Sequence, residues 1–246
     1  MSEKKRVDVL LFERGFAPSR ERAQAFIMAG RVLIDEQKIE KPGHKVFEDC
    51  NVRVIGEDQP FVSRGGLKLE KAIKSFNIDV KHKIVMDIGA STGGFTDCLL
   101  NYGASYIFAV DSGVNQLDWK LVNDKRVKNL EKTNFRYLTM ADVGTFTDLI
   151  VIDVSFISLE KILPNCWNFL KQEGTLVALV KPQFEAGREN IKKGGIVDDP
   201  KIHSQVIEAI KKFSTDIGFK VLNLIPSPIQ GKKSHNKEFL LYLLKP

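Results

Sequence analysis

The chain has 246 residues, of which 43% are hydrophobic and 28% charged, and its net charge is +6 at pH 7. This composition is that of an ordinary globular protein and excludes an intrinsically disordered chain, while the basic excess favours a polyanionic partner. No apolar run approaches the roughly 20 residues that a membrane-spanning helix needs. The N-terminal segment also lacks the pattern of a signal peptide, so no membrane partner is expected.

The three cysteines, Cys50, Cys98 and Cys166, are far apart in the sequence and include no Cys-x-x-Cys pair. This spacing argues against a disulfide framework and against a zinc site, and the four histidines are equally scattered. The sequence therefore predicts no bound metal and a reduced, cytoplasmic location. It carries no signal for the oligomeric state.

The first elements in chain order predict a small α+β domain over residues 1–56. A helix is predicted over Arg6–Glu13, and a second helix opens with Ser19 as its N-cap. Short strands are predicted at Arg31–Ile34 and Val52–Ile55. The stretch Gly56–Pro60 is polar and has glycine and proline at its ends, so a linker is predicted at residues 57–62 and a second domain over residues 63–246.

The second domain alternates apolar segments of strand type with helical segments. The predicted strands are Ile84–Ile88, Tyr106–Val110, Leu149–Asp153, Thr175–Val180, Lys220–Leu224 and Phe239–Leu244, and the predicted helices are Gly94–Tyr102, Ile157–Leu170 and Pro200–Ile217. This alternation indicates an α/β fold with a mostly parallel sheet and helices on both faces. The last two strands have no helix between them, so they are expected to pair as a hairpin that brings one antiparallel strand into the sheet.

A glycine-containing loop follows the first of these strands and opens a helix. It reads Asp87-Ile88-Gly89-Ala90-Ser91-Thr92-Gly93-Gly94-Phe95, and the next predicted strand ends at Asp111. Glycines let a ligand approach the backbone closely, and a carboxylate at the end of the second strand is placed to bind ribose hydroxyls. The pattern therefore predicts a nucleoside-containing ligand that lies across the strand ends.

Two ligands use this layout. A nicotinamide dinucleotide prefers Gly-x-Gly-x-x-Gly, but Ser91 stands where the second glycine would be, and Asp87 would repel a pyrophosphate. S-adenosylmethionine carries a ribose and an ammonium group but no phosphate, and the Asp87 carboxylate could accept hydrogen bonds from that ammonium. The loop therefore favours S-adenosylmethionine, with a dinucleotide or a tight turn without ligand as the alternatives.

Charged residues also mark the ends of later strands. Asp153 and Lys181 end two predicted strands and Glu238 begins the last, at the edge where ligands bind in sheets of this kind. Such groups are costly to bury unless paired, so Asp153 and Lys181 are expected to pair; a purely structural ion pair is the alternative. Arg64 and Lys68 would lie on one face of the helix that leads into the domain, where the alternative for Lys68 is an ordinary surface lysine.

Taken together, these segments resemble the TlyA family, also called hemolysin A, of rRNA 2′-O-methyltransferases. In the first domain the resemblance rests on Arg6-Val7-Asp8-x-x-Leu11, Ser19-Arg20-x-x-Ala23 and Ile27-x-x-Gly30-x-Val32. These segments look like the RNA-binding domain of a small-subunit ribosomal protein. The family commonly has Asn-Gly after the following strand, whereas this chain has Asp35-Glu36.

The second domain is similar to methyltransferases of the FtsJ type, which use a Lys-Asp-Lys-Glu tetrad. The matching residues are Lys68, Asp153, Lys181 and Glu238. The family often shows Gly-Asn-x-Glu before the last of these, whereas this chain has His235-Asn236-Lys237-Glu238. The resemblance implies a Rossmann-like, S-adenosylmethionine-dependent methyltransferase behind an RNA-binding domain. Its substrate would be ribosomal RNA or a ribosomal subunit, methylated in 23S and possibly in 16S rRNA, at a cytidine.

The resemblance also implies roles for the site residues. Lys181 would take the proton of the target hydroxyl, or would stay charged and only steer that hydroxyl, while Lys68, Asp153 and Glu238 surround it. RNA phosphates would be contacted by Arg6, Arg14, Arg20, Arg22 and Arg64. The rival functions are a non-catalytic RNA-binding or ribosome assembly factor and, as the older family name suggests, a pore-forming hemolysin.

Overall fold

A computed structural model of the protein describes residues 4–55, 60–230 and 236–246. The chain divides into two compact units, Met1–Asp58 and Gln59–Pro246, termed here the N-terminal and C-terminal units. Of the predicted linker, residues 57–59 lie outside the described residues, so a domain boundary at 56 stays a prediction. No helix in the described part of the chain is both long enough and apolar enough to cross a membrane.

The N-terminal unit packs two helices against short strands. Its elements are β1 (Lys4–Arg6), α1 (Val7–Glu13), α2 (Arg20–Met28), β2 (Val32–Ile34), β3 (Gln37–Ile39), β4 (Lys45–Phe47) and β5 (Val52–Val54). The predicted N-cap is confirmed, because the Ser19 side chain accepts a hydrogen bond from the Arg22 amide. The predicted strands correspond to β2 and β5, whereas β1, β3 and β4 were not predicted, since they carry no apolar residues at alternate positions.

A two-residue turn joins β2 to β3 although it lacks the usual Asn-Gly. Ile34 pairs with Gln37, and the two residues between them, Asp35 and Glu36, have φ values of 49° and 64°. This left-handed pair is the conformation that matches the twist of a hairpin and that normally selects glycine or asparagine. The Asp35 side chain accepts a hydrogen bond from the Asn51 amide, which ties the turn to the start of β5.

The C-terminal unit contains the remaining elements. They are α3 (Gly65–Phe76), β6 (Ile84–Ile88), α4 (Gly94–Asn101), β7 (Tyr106–Val110), α5 (Trp119–Val122), β8 (Val127–Leu130), α6 (Met140–Val143), β9 (Thr147–Ile152), α7 (Leu163–Phe169), β10 (Leu170–Val180), α8 (Pro182–Glu185), α9 (Pro200–Asp216), β11 (Lys220–Pro226) and β12 (Phe239–Leu244). Three short 3-10 turns lie at Phe135–Tyr137, Leu159–Lys161 and Arg188–Asn190.

Seven strands form one sheet in the order β11-β12-β10-β9-β6-β7-β8. Strand β12 runs antiparallel to both of its neighbours, and the pairs among β10, β9, β6, β7 and β8 are parallel. The predicted α/β fold with one antiparallel strand is therefore confirmed. The sheet also contains β8, which the sequence pattern did not predict.

One predicted helix is divided in the structure. The stretch 157–170 was expected to be a single helix, but it forms the 3-10 turn Leu159–Lys161, then α7, and Leu170 already belongs to β10. Pro164 is the physical reason, since proline restricts the residue before it and belongs in the first turn of a helix. Strand β10 is consequently longer than predicted, with a register shift between Leu170 and Thr175.

The two faces of the sheet bury separate cores. In β9, Leu149 and Val151 pack toward α3 and α4, whereas Ile150 and Ile152 pack toward α7 and α9. Alternate side chains of a strand point to opposite faces, so a strand covered on both faces is apolar throughout. The polar residues that follow these strands therefore collect at the edge of the sheet, where the helices leave an opening.

Candidate active site

The glycine loop packs tightly against neighbouring backbone. Gly89 has φ 83°, and a Cβ there would lie 2.7 Å from the backbone oxygen of Asp153. A Cβ at Gly94, the first residue of α4, would lie 2.9 Å from the backbone nitrogen of Gly66. These contacts let the loop lie flat across the ends of β6 and β9 and bring the first turn of α3 against α4.

Two cavities open at this edge of the sheet, and both include Gly89, Ser91 and Asp153 in their walls. The larger cavity, about 940 Å³, is also lined by Arg64, Lys68, Ala90, Thr92, Gly94, Phe95, Lys181 and Glu238. The smaller, about 430 Å³, is lined by Asp111 and by apolar residues that include Ile88, Val110, Phe135 and Ile162. Most of the residues predicted for cofactor binding thus lie on the walls of two adjoining cavities.

Two predicted residues lie behind the loop. The Asp87 side chain is fully buried, and its Oδ2 accepts a hydrogen bond of 2.6 Å from the Thr96 hydroxyl on α4. Its Oδ1 has no hydrogen-bond partner among the described residues. Gly93 packs against Leu117 and Leu121. The structure therefore places Asp87 where it holds the start of α4, and not on a cavity wall as the ammonium-binding expectation required.

Carboxylates surround the glycine loop. Burial, with a smaller contribution from the nearby Asp153 and Asp111 carboxylates, raises the pKa of Asp87 to about 7, although the hydrogen bond from Thr96 acts in the opposite direction. Asp111 lies at the end of β7, where its Oδ2 accepts a hydrogen bond of 2.8 Å from the Ser91 amide and its Oδ1 one of 2.7 Å from Gly113. Beside the loop, the carboxylates of Asp111 and Asp153 therefore disfavour a pyrophosphate and favour a cationic group.

The four residues of the predicted tetrad form one chain of ion pairs. Lys68 Nζ lies 2.6 Å from Glu238 Oε2 and 3.8 Å from Asp153 Oδ2. Lys181 Nζ lies 2.6 Å from Asp153 Oδ1, so Asp153 bridges the two lysines and its predicted pairing with Lys181 is confirmed. The four side chains are only 4% to 20% exposed. The Lys181 amine also donates to the Ser155 hydroxyl at 3.0 Å.

The sheet topology explains how distant residues meet here. Asp153 follows the last residue of β9 and Lys181 the last residue of β10, and these strands are parallel neighbours. Glu238 precedes the first residue of β12, which is antiparallel to β10 with Val180 opposite Phe239. The start of an antiparallel strand lies at the same edge as the ends of its parallel neighbours. Lys68 reaches that edge from the first turn of α3.

Aromatic residues beside the tetrad were not predicted from the sequence. Phe156 is 90% exposed, lines both cavities and has a φ of 64°. Its ring centroid lies 5.1 Å from that of Phe184, and Lys181 Nζ lies 5.9 Å from the Phe184 centroid. An exposed aromatic residue in a left-handed conformation is strained and signals a functional constraint. The sequence signal was available, since each phenylalanine follows a charged strand-end residue by three positions.

The arginines predicted to contact RNA occupy different settings. In the N-terminal unit, Arg6 and Arg20 both bind the carboxylate of Asp8, whereas Arg14 donates to the Cys50 carbonyl at 2.9 Å. Arg22 lies over the Phe26 ring, 5.0 Å from its centroid. In the C-terminal unit, Arg64 directly precedes α3 and lines the larger cavity. Within the described residues, no three His, Cys, Asp or Glu side chains cluster as metal ligands would.

Comparison with protein families decides which class of protein carries this site. Residues 61–245 match the model of the FtsJ-like methyltransferases, and residues 5–48 match the S4 domain. The chain belongs to the FtsJ-like methyltransferase family. It is 52% identical to the candidate rRNA methyltransferase YqxC of Bacillus subtilis, over 98% of this chain and 86% of that protein.

Two further relatives carry different names. Hemolysin A of Brachyspira hyodysenteriae is 43% identical over 97% of this chain and 99% of its own length. The 16S/23S rRNA (cytidine-2′-O)-methyltransferase TlyA of Mycobacterium tuberculosis (strain H37Rv) is 40% identical over 99% of this chain and 91% of its own length. Two relatives with different names are thus similar to this chain to nearly the same degree, at 43% and 40% identity.

Solved structures agree with this assignment. A candidate hemolysin from Streptococcus thermophilus has a TM-score of 0.76 and 48% identity, and covers 100% of this chain and 90% of its own. A SAM-dependent methyltransferase from Aquifex aeolicus has a TM-score of 0.52 at 17% identity, covers 76% of this chain and 95% of its own, and shares the fold. Membership of the FtsJ-like family makes the protein a methyltransferase that uses S-adenosylmethionine.

The two cavities fit S-adenosylmethionine. Gly89 lets the loop pack closely against the Asp153 backbone at the strand ends, which a side chain would prevent. The smaller cavity combines apolar walls with the carboxylates of Asp111 and Asp153, which suits an adenosine. These two carboxylates also complement the positive charges of a sulfonium and an ammonium group. The dinucleotide alternative fits poorly, because Asp111 and Asp153 would face its phosphates.

Proposed function

We propose that this FtsJ-like methyltransferase transfers the methyl group of S-adenosylmethionine to a ribose 2′-hydroxyl of ribosomal RNA. One observation carries the proposal: Lys68, Asp153, Lys181 and Glu238 form a buried chain of ion pairs on the wall of the cavity that the glycine loop also lines. The name of the Mycobacterium tuberculosis relative, a 16S/23S rRNA (cytidine-2′-O)-methyltransferase, supports a cytidine in 23S rRNA, and also in 16S rRNA, as the target. The N-terminal unit, with its S4 domain, would bind the RNA. Such a substrate places the protein in the cytoplasm.

The cofactor is proposed to lie across both cavities. The loop Gly89–Phe95 would contact its methionine part, and Asp111 at the rim of the smaller cavity would bind the ribose hydroxyls. Bound there, S-adenosylmethionine supplies a methyl group activated by its sulfonium. Asp87 contributes indirectly, because it holds α4 and therefore the loop through Thr96.

Lys181 is the residue proposed to accept the proton of the target hydroxyl. Its amine lines the larger cavity and is held by Asp153 and Ser155, which leaves little freedom for its position. A base must lie within hydrogen-bond reach of the proton that it removes, and a fixed amine on the cavity wall meets that requirement. Glu238 holds Lys68, which in turn faces Asp153, so these three residues orient Lys181.

Phe156 is proposed to hold the base of the target nucleotide. A 2′-hydroxyl can reach Lys181 only if the nucleotide leaves its helical stack, and a splayed base is stabilised by stacking on an aromatic ring. The exposed Phe156 ring offers such a surface, with Phe184 packed beside it and Lys181 next to Phe184. The third cavity at this site, about 810 Å³, is lined by both rings and by Arg136 and Lys161, which suit a neighbouring phosphate.

The experiment is transfer of labelled methyl from S-adenosylmethionine to purified 16S and 23S rRNA, free and within subunits. Lys181→Ala is expected to abolish transfer while cofactor binding persists, and Lys212→Ala, at a lysine that is 76% exposed, is the matched control. Lys181→Arg keeps the charge but cannot give up its proton at neutral pH, so it separates a base from a steering cation. Loss in both Lys181 variants supports the base.

Two results would contradict the proposal. Full activity of Lys181→Ala would remove the tetrad from the mechanism. A wild-type protein that binds cofactor and rRNA but labels none of the RNAs would favour the rival function of an RNA-binding assembly factor. Lysis of liposomes by the pure protein would instead support the activity that the name hemolysin implies.

A further inference from the structure

A fully buried carboxylate occupies the N-terminal unit. Asp8 on α1 is 0% exposed. Its Oδ1 accepts hydrogen bonds from Arg6 Nε at 2.9 Å and from the Val9 amide at 3.0 Å. Its Oδ2 accepts from Arg6 Nη2 at 2.9 Å, from Gln24 Nε2 at 2.8 Å and from Arg20 Nη2 at 3.4 Å. A buried carboxylate is costly without such partners, and this one has five donors.

The arrangement joins the starts of two helices. Arg6 is the residue before α1, and Arg20 is the first residue of α2, which Ser19 caps. Asp8 is the second residue of α1 and Gln24 lies one turn into α2, so the carboxylate is enclosed where the two helices begin. Arg6 presents two nitrogens of one guanidinium edge to Asp8, a geometry that fixes the plane of the group.

Both guanidinium groups keep an outer side for a ligand. The Arg6 side chain is 46% exposed and that of Arg20 is 49% exposed. Each guanidinium carries five N–H donors, and within the described residues the only protein acceptor of either group is Asp8. Two oriented guanidinium groups with free N–H donors on one surface suit the oxygens of a nucleic-acid phosphate.

We infer that Asp8 is a positioning residue for RNA binding. It orients the guanidinium groups of Arg6 and Arg20 so that both bind backbone phosphates. The inference rests on the proposed function, since it takes RNA as the ligand of the N-terminal unit. Without Asp8, each arginine would have to be ordered at the moment of binding, and ordering long side chains weakens affinity.

The charge of Asp8 and its positioning role predict opposite changes in RNA affinity when the residue is replaced. The hydrogen bonds from Arg6 hold the pKa of Asp8 far below its usual range, so the group is an anion whenever the protein is folded near neutrality. Removing an anion beside an RNA-binding surface should, by long-range attraction alone, strengthen RNA binding. Removing the group that orients two arginines should weaken it.

The test compares Asp8→Asn with the wild-type full-length protein in binding to the rRNA fragment that the wild type methylates. The expected result is a Kd higher by about fivefold or more, from two arginines that must now be ordered on binding. The slope of log Kd against log salt should become shallower by about one, because phosphate contacts are lost. With saturating RNA, kcat should be unchanged, so the effect falls on KM. A merely structural role would not change the salt slope.

The control variant is Glu13→Gln, which removes an acidic charge from the same helix at an exposed side chain paired with Lys5. It should leave RNA binding unchanged or strengthen it. If Asp8→Asn does not fold, Gln24→Ala removes one donor to the carboxylate at a half-buried position and should raise Kd by a smaller factor.

An Asp8→Asn or Gln24→Ala protein that folds and binds as tightly as the wild type, with the same salt slope, would overturn the inference alone. A wild-type protein that binds no rRNA would instead overturn the proposed function, and the inference with it. The two failures are therefore distinguishable from the wild-type measurement.

Discussion

Replacing Lys68 by methionine is expected to destabilise the C-terminal unit strongly, because it leaves a buried carboxylate without its partner. Glu238 is 4% exposed, and within the described residues the Lys68 amine is the only group that donates to its carboxylate. Methionine keeps the length of the side chain, so the packing of α3 changes little. The substitution therefore tests the effect of the Lys68 charge separately from that of its packing.

The size of the effect follows from burial and distance. Breaking a buried ion pair costs about 3–5 kcal/mol, and we expect about 3 kcal/mol here because the Lys68 side chain keeps 12% exposure at the cavity. Glu238→Gln leaves Lys68 with the Asp153 carboxylate 3.8 Å away, so its cost should be smaller, about 1–2 kcal/mol. The double variant has no unpaired Glu238 charge. Its free energy of unfolding should therefore fall by about 2 kcal/mol less than the sum of the decreases in the two single variants.

The assay is equilibrium unfolding in urea, followed by tryptophan fluorescence. Both tryptophans of the chain, Trp119 and Trp167, lie in the C-terminal unit, so their signal reports on that unit. Methyl transfer should be lost in all three variants. The decrease in the free energy of unfolding of the double variant is compared with the sum of the decreases of the two single variants. If these agree within about 0.5 kcal/mol, Lys68 and Glu238 are not coupled and the chain of ion pairs is not a unit.

Three further predictions concern the same cleft. Phe156→Ala should raise the KM for rRNA by about tenfold, since stacking of one base on an aromatic ring contributes about 1–3 kcal/mol; cofactor affinity should not change, and an unaltered KM in methyl transfer would reject the stacking role. Gly89→Ala should abolish cofactor binding in calorimetry, because its Cβ would meet the Asp153 carbonyl at 2.7 Å; wild-type affinity would show that the loop is not the cofactor site. Burial raises the pKa of Asp87 from 3.8 to about 7, so between about pH 4 and 7 the folded protein holds a proton that the unfolded chain has released. Stability should therefore fall as pH rises through that window, by on the order of 4 kcal/mol, and level off above it. In Asp87→Asn, whose side chain does not titrate, this fall should be absent; unfolding curves from pH 4 to 8 that stay parallel for both proteins would contradict the burial argument.

Much of the C-terminal unit could be predicted from local pattern. Strands such as Ile84–Ile88 and Phe239–Leu244 have the predicted bounds, because strands buried on both faces are continuous apolar runs. The division of the predicted helix at 157–170 could not be predicted from its apolar spacing, although Pro164 was a signal for it. In the N-terminal unit, β2 and β5 were predicted, whereas β1, β3 and β4 were missed because they carry no apolar residues at alternate positions.

For the site residues too, local pattern predicted some positions and not others. The Asp153–Lys181 pair followed from two charged residues at the ends of neighbouring strands, which is a local pattern with a cost if unpaired. The position of Asp87 did not follow, because periodicity does not tell whether a strand-end carboxylate faces the ligand or the helix behind the loop. Phe156 was missed for a related reason, since exposure of an aromatic ring is a property of the folded surface.

By itself, the sequence determined which residue types stand at the ends of strands and which loop contains glycine, because these depend on local backbone geometry and on the apolar period. Only the tertiary structure decided that Asp153 bridges both lysines, that Glu238 pairs with Lys68, and that Asp8 binds two arginines. Each of these depends on pairing between residues far apart in the chain. Such pairing is set by the order of strands and the packing of helices, and no local pattern encodes it.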